Sequence, residues 1–137
     1  MASAHQKFMI HLYGPKKSYL KGVEGEMIFI PTQRGQIQLL KDHTHLITLL
    51  GIGSLVIDKQ PLRFVLSKGV CKVLDSQIIL LAKEVFVKEE LKKERIQEEM
   101  EKIQQRMKSS LPMQEGEFEE LDLTNQKLKA QWELFNP

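Results

Sequence analysis

Apolar positions along the first eighty or so residues recur mostly at every second place, the period of a strand with one face buried. Phe8, Ile10 and Leu12 alternate with their neighbours, and Gly14-Pro15 ends the run with a turn. A dense apolar run from Glu26 to Ile30 leads into Pro31, and Leu62, Phe64 and Leu66 alternate with Arg63, Val65 and Ser67. Val70 to Leu74 and Gln77 to Leu81 follow, joined by Asp75-Ser76 as in a hairpin. Short strands broken by turn residues at this frequency predict an antiparallel β-sandwich of about eight to ten strands.

The period changes near Glu84. Val85 to Met107 contains no Gly or Pro, and Ile96, Met100, Ile103 and Met107 mark an apolar stripe at helical spacing. Ser109-Ser110-Leu111-Pro112 and Gly116 interrupt it, and a second stripe follows at Phe118, Leu121, Asn125, Leu128, Trp132 and Phe135. Two such stripes across a short loop predict an antiparallel helical hairpin. The expected class is therefore α+β, with a sandwich domain over residues 1–83 and a two-helix hairpin over 84–137.

Charge sharpens that division. The chain of 137 residues has a net charge of +2. Residues 1–83 carry eleven Lys or Arg against five acids, and residues 84–137 carry nine against thirteen. The basic residues of the first part are scattered and lack interleaved aromatics, which argues against nucleic-acid binding. No apolar run approaches the roughly 20 residues of a bilayer span. The start, MASAHQKFMI, has neither a signal-peptide core nor the character of a transit peptide, which favours a bacterial protein. The single cysteine, Cys71, lies in an alternating strand and builds no disulfide or thiolate metal site.

Candidate chemistry is concentrated in Pro31 to Leu55, where Gly35 and Gly53 mark a positive φ or a close backbone approach. Leu39, Leu40, Leu46, Ile47, Leu49 and Leu50 are read as buried strand surface. His43 and His45 share a strand face, but no further ligand completes a metal shell. Gly51-Ile52-Gly53 lacks the other elements of a nucleotide-binding turn. No Ser-His-Asp or Cys-His pair sits in a recognised motif, so the stretch reads as a shaped loop for a partner.

The order Pro31, Gly35-Gln36-Ile37, Leu39-Leu40, His43, Leu46, Thr48, Leu50, Gly53, Leu55 resembles the PxxxGExGILPxHxPLxTxLxxGxL signature of the epsilon subunits of bacterial-type F-type ATP synthases. Gly14-Pro15 and Val65-Leu66-Ser67-Lys68-Gly69-Val70 followed by Val73 extend the resemblance over essentially the whole chain. It implies a non-catalytic rotor subunit of the central stalk, held between the gamma subunit and the c-ring of a proton- or sodium-driven synthase. It further implies a hairpin that lies on the sandwich or extends toward the alpha and beta subunits of the catalytic head and blocks hydrolysis, at the cytoplasmic face of the bacterial inner membrane. The alternative is a free-standing sandwich that binds a partner through its hairpin.

By the same resemblance, Arg34, Gln36 and His43 are expected to meet the c-ring. Gln36 replaces the family's usual Glu, Gln38 a Gly, and Lys41 and His45 two prolines, while Lys72 stands where Glu is common. Leu91-Lys92-Lys93-Glu94-Arg95-Ile96 aligns with the I/L-D-x-x-R-A motif that binds ATP in some relatives. Leu91 and Arg95 match it, whereas Lys92 and Ile96 depart from it among several glutamates. No cofactor is expected beyond ATP as a regulatory ligand. The second helix is acidic, so Lys102, Arg106 and Lys108 of the first are the candidates for an inhibitory contact with beta.

Overall fold

The computed structural model describes residues 7–40, 45–58 and 62–135. Among them are eight strands: β1 (Phe8–Tyr13), β2 (Ser18–Gly25), β3 (Met27–Thr32), β4 (Gly35–Leu40), β5 (Leu46–Leu50), β6 (Gly53–Ile57), β7 (Leu62–Leu74) and β8 (Gln77–Phe86). A single 3-10 turn at Lys88–Glu90 precedes two helices, α1 (Lys93–Lys108) and α2 (Glu117–Glu133). Contacts divide the chain into two units between Val85 and Phe86. The boundary expected at residue 83 falls inside β8, because the strand runs on through Glu84, Val85 and Phe86 after the composition has turned acidic.

Strand alternation becomes burial directly. Phe8, Ile10 and Leu12 of β1 point inward, as do Ile28 and Ile30 of β3 and Ile78 and Leu80 of β8. Fully burying such a side chain contributes about 1.5–3 kcal/mol. The strand order is β2-β1-β8-β7-β5-β3-β4, with β6 paired to both β3 and β7. One pairing departs from the antiparallel expectation: β1 and β8 run parallel, from Met9 opposite Gln77 to Tyr13 opposite Leu81. Strands from the two ends of the unit meet there, so no hairpin constrains their direction.

The predicted pair of strands in 62–74 is one strand of thirteen residues. Its first half pairs with β6, from Leu62 opposite Ile57 to Leu66 opposite Gly53. Its second half pairs with β5, from Gly69 opposite Leu50 to Val73 opposite Leu46. The change of partner falls at Lys68-Gly69, where φ is +59° and +139°. A Cβ at Gly69 would overlap the Leu81 carbonyl oxygen, so this bend requires glycine. By passing from one partner to the other, β7 folds the ladder into a sandwich.

In the helical unit, Ile96, Ile103 and Leu128 form the buried centre. Leu91, Met100, Met107, Leu121, Trp132 and Phe135 pack around it. The expected stripes are thus the seam, except that Phe118 lies outside it and is 53% exposed. Gly116, with φ at +81°, turns the chain into α2, whose first turn carries Glu117, Glu119 and Glu120. Acidic side chains are favourable at that end of the helix dipole. Lys93 sits 5.0 Å from the centre of the Trp132 ring, adding a cation–π contact across the pair.

Candidate functional site

Arg34 and Gln36 stand at the end of the β3–β4 hairpin, whose two-residue turn is Gln33-Arg34. Thr32 Oγ1 donates to the Gly35 carbonyl and accepts from the Arg34 amide. Gly35, at φ +113°, supplies a conformation other residues resist. From behind, Gly51 N–H donates to Pro31 O at 3.1 Å and Gln33 N–H to Leu49 O at 3.2 Å. A Cβ on Gly51 would stand 2.5 Å from the Thr32 carbonyl oxygen, and one on Gly53 2.9 Å from Pro31 Cβ. Close backbone approach thus braces the tip, and Arg34 and Gln36 are both exposed on it. His43 lies outside the described residues. His45 is exposed, with Nε2 3.4 Å from Asp75 Oδ1.

A second surface was not legible in the sequence. Ile47 is 71% exposed and Leu49 51%, which corrects their reading as buried. Register explains this. Leu50 faces the core, so Ile47 and Leu49 point the other way, and their ladder partners Lys72 and Val70 share that outer face. Leu74 and Leu81 are exposed as well. Leu81 is paired with Tyr13, next to His11, whose Nδ1 accepts from Gly22 N–H while Nε2 meets Gln77 Oε1 at 2.8 Å. The signal was in Leu46–Leu50, a strand whose outward positions are as apolar as its inward ones, so alternation does not mark which side faces the core.

Leu91 and Arg95, the two matches to a nucleotide motif, line one open cleft of about 200 Å³ in the helical unit. Glu90, Lys92 and Glu99 line it too, and Arg95 Nε pairs with Glu99 Oε1 at 3.5 Å. Drug-sized ligands occupy pockets of roughly 300–1,000 Å³. This cleft is smaller and presents two carboxylates toward any phosphate.

The three cations proposed from α1 separate. Lys102 and Lys108 are exposed. Arg106 is engaged within the hairpin: Nε donates to Glu117 Oε2 at 2.6 Å and Nη2 to Oε1 at 2.9 Å. The same guanidinium donates to Leu111 O at 3.3 Å and Pro112 O at 3.1 Å. Glu117 raises the guanidinium pKa, chiefly by hydrogen bonding. The Glu117 carboxyl is held below its ordinary value by Arg106 and next by the Gln114 amide, which donates at 3.0 Å. Arg106 therefore closes the loop between the helices and offers no free charge to a partner.

Residues 7–88 match the family model described as ATP synthase, Delta/Epsilon chain, beta-sandwich domain, a span that takes in all eight strands. The ATP synthase epsilon chain of Clostridium novyi is 28% identical over 116 residues, covering 81% of this chain and 88% of the relative. The corresponding chain of Pelagibacter ubique is 22% identical over 107 residues, covering 77% and 82%. Among solved structures, a chain of the Euglena gracilis mitochondrial ATP synthase, in a complex described as OSCP/F1/c-ring, superposes with a TM-score of 0.77. It is 20% identical and covers 96% of this chain and 82% of that one. A chain of the Tetrahymena thermophila mitochondrial ATP synthase, described as central stalk/c-ring, gives 0.54 at 16% identity, with coverage of 96% and 95%.

Proposed function

The chain belongs to the ATP synthase delta/epsilon family, and from that premise we propose that it is a rotor subunit of the central stalk, epsilon in type, contributing contact surfaces and no catalytic group. The observation that carries this reading is the family match across the whole eight-stranded unit. The outer face of β5, β7 and β8 supports it, since Ile47, Leu49, Val70, Leu74 and Leu81 are exposed in the single chain. Exposed apolar groups gathered on one face mark an interaction site.

In this reading the apolar sheet face takes the gamma subunit. The braced β3–β4 tip, with Arg34 and Gln36, meets the c-ring. The protein is then peripheral to the membrane, attached through its complex. Of the three candidate cations for a contact with the catalytic head, Lys102 and Lys108 are exposed and available to the beta subunit, whereas Arg106 is engaged within the hairpin.

The test is co-elution with the cognate gamma subunit in gel filtration, using the full chain and a Leu49→Asp, Leu81→Asp variant. Both positions are exposed, so the variant is expected to fold as the parent does. The parent should co-elute and the variant should not. Failure of the parent to bind gamma, alone or with its c-ring, overturns the reading. ATP hydrolysis by the cognate head then tests inhibition, comparing the full chain with one ending at Val87, which keeps β8 whole. Equal rates would exclude an inhibitory hairpin.

A further inference from the structure

Lys72 occupies the middle of the exposed apolar face of the sandwich unit. Its outward neighbours along β7 are Val70 and Leu74, both exposed. Across the ladder to β5 it stands opposite Ile47, and Leu49 is opposite Val70. On the other side of β7 runs β8, which contributes the exposed Leu81. Lys72 is itself exposed, and among the described residues it has no ion pair. The carboxylate at the end of its strand, Asp75, is placed against His45, 3.4 Å from Nε2.

An ammonium in that position decides what can cover the face. The stem of a lysine lies along apolar surface while its head stays in water. At the rim of an interface the head would keep that water and contribute little. Apolar side chains flank Lys72 on the strands to either side and on both sides along β7, so a partner that covers them covers Lys72 as well. An unpaired ammonium taken out of water is strongly unfavourable, and a carboxylate set opposite offsets that cost. A cation set opposite would be worse still, so the same group discriminates among partners.

We infer that Lys72 is the specificity-determining residue of this face, and that it pairs with a single Asp or Glu carboxylate presented by the gamma subunit within an otherwise apolar contact. The inference rests on the assignment of this face to gamma proposed above. It adds the sign of the charge that gamma must carry at one position, and the residue that reads it.

Titration of the full chain into the cognate catalytic head, with gamma present and this chain absent, tests it. Lys72→Met keeps an unbranched stem and removes the charge; it should weaken binding at least about thirtyfold, because the gamma carboxylate is left buried and unpaired. The loss should persist at high salt, since a covered pair is screened little. Lys72→Glu should bind more weakly still. Lys72 is exposed, so both variants should unfold at the urea midpoint of the parent. Among gamma variants that each change one Asp or Glu to Lys, one should restore binding of Lys72→Glu and weaken that of the parent. A smaller loss in Lys72→Met, a loss that vanishes at high salt, or no rescuing gamma variant overturns the inference and leaves the assignment of the face to gamma standing. A parent that does not bind, or whose binding survives Leu49→Asp with Leu81→Asp, overturns both.

Discussion

Arg106 and Glu117 grip each other through two parallel hydrogen bonds of 2.6 and 2.9 Å across the loop that separates α1 from α2. A planar guanidinium fits a carboxylate in this way and an ammonium does not. Arg106→Lys is therefore expected to loosen residues 109–117 despite keeping the charge, and Arg106→Ala to loosen them further. Amide exchange in that segment should rise in the same order.

The same pair sets an acid limit. The Glu117 carboxyl titrates below its ordinary 4.5, chiefly because of the Arg106 hydrogen bonds. A depressed folded value means that the carboxylate adds stability above its unfolded pKa and loses that contribution as pH falls through the folded one. Loop order should hold from pH 7 to 5 and decline in more acid solution. Glu117→Gln should abolish that part of the acid response, as followed by NMR of the 109–117 amides.

Three glycines should rank by what a methyl group would meet. Gly35→Ala meets nothing within 4 Å and bears only the strain of a positive φ, of order 1 kcal/mol. Gly51→Ala presses on the Thr32 backbone and should cost about 1–3 kcal/mol. Gly69→Ala combines both faults and should cost the most. Urea midpoints of the three variants would check the order.

Asp58 closes the corner between β2 and β3: its Oδ1 accepts from the Glu26 and Met27 amides at 2.8 Å each. It does so at φ +55°, where Asp and Asn are the best tolerated of the larger residues. Asp58→Ala should lose about 1–3 kcal/mol, since both donors lose their acceptor. Asp58→Asn keeps an acceptor oxygen and should lose less in the same urea measurement.

Burial pushes the Cys71 thiol up to about 12, because the thiolate cannot be solvated in the sandwich core. Alkylation by iodoacetamide at pH 8 should therefore be negligible in the folded chain. Its rate should rise with urea along the unfolding curve.

Much of the architecture was legible because it is local. The alternation at Phe8, Ile10 and Leu12, the two-residue turn at Asp75-Ser76 and the helical spacing of Ile96, Ile103 and Leu128 each depend on residues a few places apart. The unreadable parts depend on pairing between distant segments. Nothing near Met9 announces a parallel partner at Gln77. Ile47 and Leu49 look like core until register turns them outward. Arg106 looked like a free cation because its partner stands eleven positions away, beyond a loop. Of the candidate contact residues, Arg34 and Gln36 are brought together on one tip, while Leu91 and Arg95 share a cleft whose carboxylates oppose an anion.

The bend at Lys68-Gly69 also has a mechanical side. Force applied to β5 reaches β6 through the Gly51-Ile52 link, through β3, which is bonded to both strands, and through β7, which is bonded to each of them in turn. Along β7 the two ladders are joined by unbroken backbone, which does not slip under repeated loading as packed side chains can. That single kinked strand is a tie that resists shear between the two layers.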